Sequence, residues 1–213
     1  LLAEMGAQYA RLEQFEAARA FLLKAFQGAP QEVDVVGQVL HELLHARAGD
    51  AVENLLPAVR QLPRLLPAFW FHQVTMALQC SLSEQWAELF IEEAVKLAGQ
   101  PWVEDTRAGL LLEAYDLAYE EKATGLLARL AQRIRQEAPA CGAVEYVEAH
   151  QLFFDEADSR RAGRLVRTAM SAARQANDAG VLRRVEELEQ LLRGGLGRFN
   201  LNRVLRDLFG GPC

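Results

Sequence analysis

Residues 39–50 read VLHELLHARAGD, and within them His41, Glu42 and His45 spell H-E-x-x-H. Residues four apart on a helix share a face, so two imidazoles stand one turn apart with a carboxylate beside them. That is the donor pattern that holds a zinc ion through ring nitrogens while the glutamate polarises a bound water for attack on a peptide bond. Val35, Val36, Leu43 and Leu44 supply the apolar flanks such a helix needs. A working centre also needs a third ligand. No histidine follows His45 at a suitable spacing, Glu53 lies beyond the Ala-Gly-Asp break at 48–50, and no strand precedes the helix to align a substrate backbone. The spelling is therefore expected to mark an ordinary helix face, with no metal or other cofactor. A zinc metallopeptidase using His41, Glu42 and His45 is the alternative.

The remaining reactive residues form no catalytic pattern. Gly-Gly-Leu-Gly at 194–197 has no strand before it and no Lys-Ser/Thr after it, so it reads as a linker rather than a phosphate loop. Ser81, Ser83, Ser159 and Ser171 sit in no nucleophile elbow. Trp70, Trp86 and Trp102 recur at intervals of about half a helical hairpin, which points to packing between helices. Cys80, Cys141 and Cys213 are few, odd in number and far apart, which argues against a disulfide framework and for a reducing, cytoplasmic compartment.

The elements that position these residues are helices. The 213-residue chain is 51% hydrophobic and 24% charged, the balance of a globular domain with a sizeable core. No apolar run approaches the roughly 20 residues of a membrane span. A net charge of −6 argues against nucleic acid as a partner. Residues 160–206 are nonetheless rich in arginine, read as a solvated helix face. Ala, Leu, Glu, Gln and Arg dominate, apolar residues recur three and four apart, and no alternating strand pattern stands out. Breaks fall at 28–30, 48–50, 62–63, 99–101, 138–140 and 177–178.

Between the breaks the chain repeats. The first segment carries Leu2, Met5-Gly6, Tyr9, Phe15, Ala18, Leu22, Ala25 and Pro30. Gly6 and Ala18 are small where two helices of a hairpin would cross closely, and Tyr9 and Leu22 would fill the space beside them. Weaker copies run through Val36–Val59, Phe71–Ala94, Ala108–Ala131 and Tyr146–Ala169. The pattern and its spacing resemble the tetratricopeptide repeat, whose period is about 34 residues. The resemblance covers residues 1 to about 175. It implies an all-α fold, a right-handed superhelix of five stacked hairpins (a TPR-like α-solenoid), closed by a capping helix over Ala179–Arg193. Residues 1–193 would then form one repeat domain, 194–197 a linker and 198–213 a short amphipathic segment. Since the match begins at Leu2, further repeats are expected before it.

In that family the first helix of each pair lines a concave groove that takes an extended or helical peptide. Carried over by position, the lining includes Arg11, Asp34, His41, Leu44, His45, Phe69, His72, Met76, Thr106, Glu113, Asp116 and Phe154. It is mixed, apolar in the middle and acidic later, without the Lys/Arg clamp that family members use on a C-terminal carboxylate. Such a lining suits a basic amphipathic helix. The segment RFNLNRVLRDLFGGPC is itself of that kind. Phe199, Leu201, Leu205, Leu208 and Phe209 are expected to dock on a repeat surface, in cis or in a dimer. The resemblance thus implies a non-catalytic scaffold or adaptor that binds another protein or peptide, with a secretion-type or assembly chaperone as a further alternative.

Overall fold

The computed structural model describes residues 1–79 and 84–194. Among these the chain forms eleven α-helices and no strand. They are α1 (Leu2–Arg11), α2 (Phe15–Gly28), α3 (Val33–His45), α4 (Gly49–Val59), α5 (Pro67–Gln79), α6 (Glu84–Lys96), α7 (Arg107–Glu120), α8 (Thr124–Glu137), α9 (Ala143–Phe154), α10 (Ser159–Ala176) and α11 (Ala179–Gly194). Their contacts gather into two compact units, Leu1–Leu97 and Ala98–Cys213. Neighbouring helices pack as pairs, and the pairs coincide with the five hairpins and the final helix expected from the sequence. No helix of the described residues is long and apolar enough to cross a membrane.

In the first unit α1 pairs with α2, α3 with α4 and α5 with α6, while α3 also packs on α1, α2 and α5. Small residues set the closest crossing, as the spacing implied. A Cβ added at Gly6 would stand 2.5 Å from Leu22 Cγ and 3.3 Å from the Ala18 carbonyl oxygen. Ala18 and Leu22 are themselves fully buried. The core continues through Val36, Val39, Leu40 and Leu43 of α3, all without solvent exposure. Trp70 stacks on Phe90 at 5.9 Å, and Trp86 lies against the backbone of Gly49, so both act between helices. Trp102 is 40% exposed. A buried carboxylate joins α4 to α6. Arg60 donates to both oxygens of Glu93 at 3.0 and 2.8 Å, and Lys96 adds a third contact at 2.7 Å. Burial pushes Glu93 up, but these donors outweigh it and hold the carboxyl below its ordinary value.

In the second unit α7 pairs with α8 and α9 with α10, and α9 packs on α7 and α8. The last helix does more than cap the last hairpin: α11 lies on α10 and α9, and also on α7. That extra cover explains a sequence feature of α7. Leu110, Leu111 and Leu112 are consecutive and all fully buried, as are Ala114, Tyr115 and Ala118. Three adjacent positions span most of a helix circumference, so a helix that buries all three needs neighbours on more than one side.

One turn recurs at the end of the first helix of three pairs. Glu13, Arg47 and Lys122 adopt φ of 57°, 52° and 57° two residues past α1, α3 and α7. The following amides of Gln14, Ala48 and Ala123 each donate at 2.9 Å to the carbonyls of Tyr9, Leu43 and Ala118. The turn residues' own amides bond to Ala10, Leu44 and Tyr119. This is the Schellman closure, which satisfies the carbonyls a helix end leaves open. Ala157 after α9 and Asn177 after α10 are also left-handed.

Candidate interaction faces

Three of the chain's four histidines meet on the first unit. His41 and His45 lie one turn apart on α3, and His72 comes from α5. The rings of His41 and His45 stack at 4.9 Å, and those of His41 and His72 at 5.9 Å, each pair inclined by 30°. Arg11, exposed at the end of α1, acts on the same group. Burial, then His45, His72 and Arg11 together push the His41 imidazole down to about 4, so it is neutral at pH 7. Glu42 is raised by burial, against the pull of His45 and Arg11.

This arrangement tests the metal reading. Ligating nitrogens present lone pairs in the ring plane, and those lone pairs must converge on one point. Here the rings present their faces to one another. Among the described residues no group of three or more His, Cys, Asp or Glu side chains is disposed to hold a metal ion. What the cluster offers instead is three adjacent imidazoles and a guanidinium, able to meet a hydrogen-bonding or anionic group.

The other residues expected on this face divide. Asp34 is exposed two turns before His41, about 10 Å along the helix. Phe69 is half-buried, its ring 3.3 Å from where a Cβ of Gly37 would stand, so the glycine gives the ring its seat. Leu44 and Met76 depart from the expected lining, with exposures of 1% and 7%. Leu44 is turned about 100° from its neighbour His45 and belongs to the core. Helix α5 buries Trp70, Phe71, Gln73, Val74, Met76 and Ala77, which leaves only a narrow open stripe containing His72. Gln73, fully buried, donates to the Gly37 carbonyl at 3.5 Å, a contact the sequence did not announce.

In the second unit the corresponding helices, α7 and α9, carry α11 on them. The two backbones touch where neither has a side chain. A Cβ on Gly109 would stand 2.9 Å from the Gly180 Cα, and one on Gly180 would stand 3.1 Å from the Gly109 Cα. At that crossing the N-caps clasp. Thr106 Oγ1 accepts from the Gly109 amide at 3.1 Å while its hydroxyl donates to Asp178, whose Oδ1 accepts from the Val181 amide at 3.0 Å. Farther along, Arg184 reaches Glu113 at 3.1 Å and Asp116 at 3.6 Å, and Arg183 pairs with Asp105. Tyr146 on α9 donates to both oxygens of Asp116 at 2.9 and 3.0 Å. Burial raises Glu113, against Arg184. Burial likewise raises Asp116 to about 7, against Arg184 and the Tyr146 hydroxyl. Thr106, Glu113 and Asp116, expected to line a groove, therefore meet a helix of the same chain.

Phe154, also expected on the lining, sits in an aromatic cluster around His150, with Tyr119 and Phe154 at 4.5 Å, Tyr115 at 5.4 Å and Tyr146 at 6.0 Å. His150 is 4% exposed, and burial pushes its imidazole down to about 4.

Sequence reasoning missed Arg183 and Arg184 as contacts, because the arginine-rich stretch read as solvated. That reading fits Arg160, Arg161, Arg164 and Arg167 of α10, all exposed. Two signals pointed to the difference: the Leu110–Leu112 run, and two cap residues, Thr106 and Asp178, at the starts of α7 and α11. Phe199, Leu201, Leu205, Leu208 and Phe209, with the linker beyond Gly194, lie outside the described residues.

No protein-family model, curated protein or solved structure matches the chain.

Proposed function

We propose that this chain is a non-catalytic interaction scaffold of the tetratricopeptide type, which binds a helical or extended segment of another protein on the first helices of its hairpins. The observation that carries the reading is the seat of α11. A helix with apolar residues on one side and Arg183 and Arg184 on another lies across α7 and α9 and meets Asp105, Glu113 and Asp116. The chain thus already uses one first-helix face to hold a helix. The recurring turn supports the repeat: Glu13 and Arg47 stand about 34 residues apart, the tetratricopeptide period. The stacked rings of His41, His45 and His72 favour a contact surface over a zinc hydrolase.

Photo-crosslinking tests the proposal. A photoreactive residue placed at His72, on the open stripe of α5, is expected to capture a defined partner. One placed at Arg160, on the outer side of α10, is expected not to. Equal background at both positions counts against the scaffold reading. So does stoichiometric zinc together with peptidase activity that is lost in Glu42→Gln.

A further inference from the structure

The two units differ in the charge of their first-helix faces. On α7 the charged groups that meet α11 are the carboxylates of Glu113 and Asp116, with Asp105 just before the helix, and arginines of α11 cover them. On α1, α3 and α5 the cluster is Arg11, His41, His45 and His72, and among the described residues no helix of the first unit lies across it as α11 lies across α7. We propose that the face formed by Arg11, His41, His45 and His72 docks an acidic amphipathic helix of a partner protein, whose carboxylates meet Arg11 and lie beside the stacked imidazoles. This rests on the scaffold reading and names the chemistry of its partner.

The charge balance around His41 carries the argument. From α1 the group facing it is Arg11, from α3 His45, and from α5 His72; all three are cationic or become so on protonation. Glu42, on α3 itself, is the carboxylate that interacts with His45 and Arg11. Asp34 lies two turns away along α3, and Glu4 two turns before Arg11 on α1. A proton on His41 therefore meets the fixed charge of Arg11 and two further imidazoles, with no carboxylate facing it among the described residues. A partner carboxylate beside the rings reverses that balance, so the complex holds protons that the free face releases. By linkage, affinity must then rise as the pH falls from neutrality towards the free His41 value of about 4. The seat of α11 supplies the geometry of such docking, with a helix laid along first helices and its charged residues set on groups of opposite sign.

Charge also counts against the chain's own C-terminal segment as the occupant. Residues 198–213 carry Arg198, Arg203 and Arg206 against Asp207, and so repel this face.

The test uses the full chain, EDTA in the buffer and three dye-labelled peptides followed by fluorescence anisotropy. The first is residues 179–194 carrying R183E, R184E and R193E, the second is the unchanged 179–194, and the third is residues 198–213. The acidic peptide is expected to bind tightest, and about threefold to tenfold tighter at pH 5.0 than at pH 7.5. The variant Arg11→Gln/His72→Gln changes two exposed residues. It is expected to weaken binding about tenfold and flatten the pH dependence without shifting the melting temperature. The inference falls if the unchanged helix or residues 198–213 bind as well as the acidic peptide, or if binding ignores pH or the double variant. If His72 crosslinks a partner while the acidic peptide does not bind, the inference fails and the scaffold reading stands. If His72 captures nothing, the scaffold reading fails with it.

Discussion

The hydroxyl of Thr106 donates to both carboxylate oxygens of Asp178, at 2.7 and 2.9 Å, and so ties the N-cap of α7 to the N-cap of α11. Each residue also accepts a bond from its own helix. Thr106→Val keeps the side-chain shape but removes the cap and leaves the 8%-exposed Asp178 without its hydroxyl partner. A loss of about 2–3 kcal/mol in urea unfolding is expected. A double-mutant cycle with Asp178→Asn is expected to give a coupling of about 1–2 kcal/mol, and strictly additive losses would refute the clasp.

Gly109 and Gly180 touch backbone to backbone, and backbone cannot move aside as a side chain end can. Alanine at either position gains up to about 1 kcal/mol of helix propensity but forces the helices apart, at about 1–3 kcal/mol. Net destabilisation is expected, with faster hydrogen exchange in α11. Gly163, inside α10, has nothing within 4 Å of an added Cβ. Gly163→Ala is expected to stabilise by up to about 1 kcal/mol. If both substitutions shift the melting temperature alike, the close approach is not as described.

His150 fixes a sign for the pH dependence. Its folded value, about 4, lies below the ordinary 6.5, so between these two pH values the unfolded chain takes up a proton that the native one refuses. Stability is complete above pH 6.5 and falls with acid, by on the order of 3 kcal/mol at pH 4 for this residue. Asp116 works in the opposite direction. Its folded value near 7 exceeds the ordinary 3.8, so its burial costs stability at neutral pH and that cost shrinks as the pH falls from 7 to 4. Denaturant melts of the parent and of His150→Leu at pH 7, 5.5 and 4.5 isolate the histidine. The difference between the two proteins is expected to change steadily in favour of the variant, and a constant difference would refute the assignment.

Glu93 gives the complementary case. Arg60 and Lys96 hold its carboxyl below the ordinary 4.5 against burial, so its contribution is present at neutral pH and is lost as the pH falls through the folded value. Arg60 is 43% exposed, which weakens the pair relative to a fully buried one. Glu93→Gln is expected to cost about 1–3 kcal/mol at pH 7 and progressively less below pH 4.5. A penalty that stays constant down to pH 3 would show that packing, not charge, is what the substitution removes.

The hairpins were legible because their signals are local. Gly6, Ala18, Leu22 and Ala25 are read from spacing alone, and the same residues are buried in α1 and α2. The partition of α3 was equally readable, with Val39, Leu40 and Leu43 inward and His41 outward. The place of α11 was only half legible. Its apolar stripe announces a helix that needs cover, but which helix it meets depends on two glycines and two capping residues more than 70 positions apart, and no periodicity reaches that far. The His72 contact was foreseeable only by carrying the repeat across from α3 to α5. Leu44 and Met76 were misplaced because position within a repeat gives a helix face but not how much of it neighbouring helices already cover.

The clasp between α7 and α11 has a consequence for synthesis. Thr106 and Asp178 are separated by 72 residues, and Asp105 and Arg183 by 78. As the chain leaves the ribosome, α7 and α8 can pair at once. One side of α7, however, must wait several seconds, at about 5–20 residues per second, for the helix that covers it. During that interval part of the Leu110–Leu112 run faces water, and the nascent second unit is at its most exposed to chaperones and to aggregation.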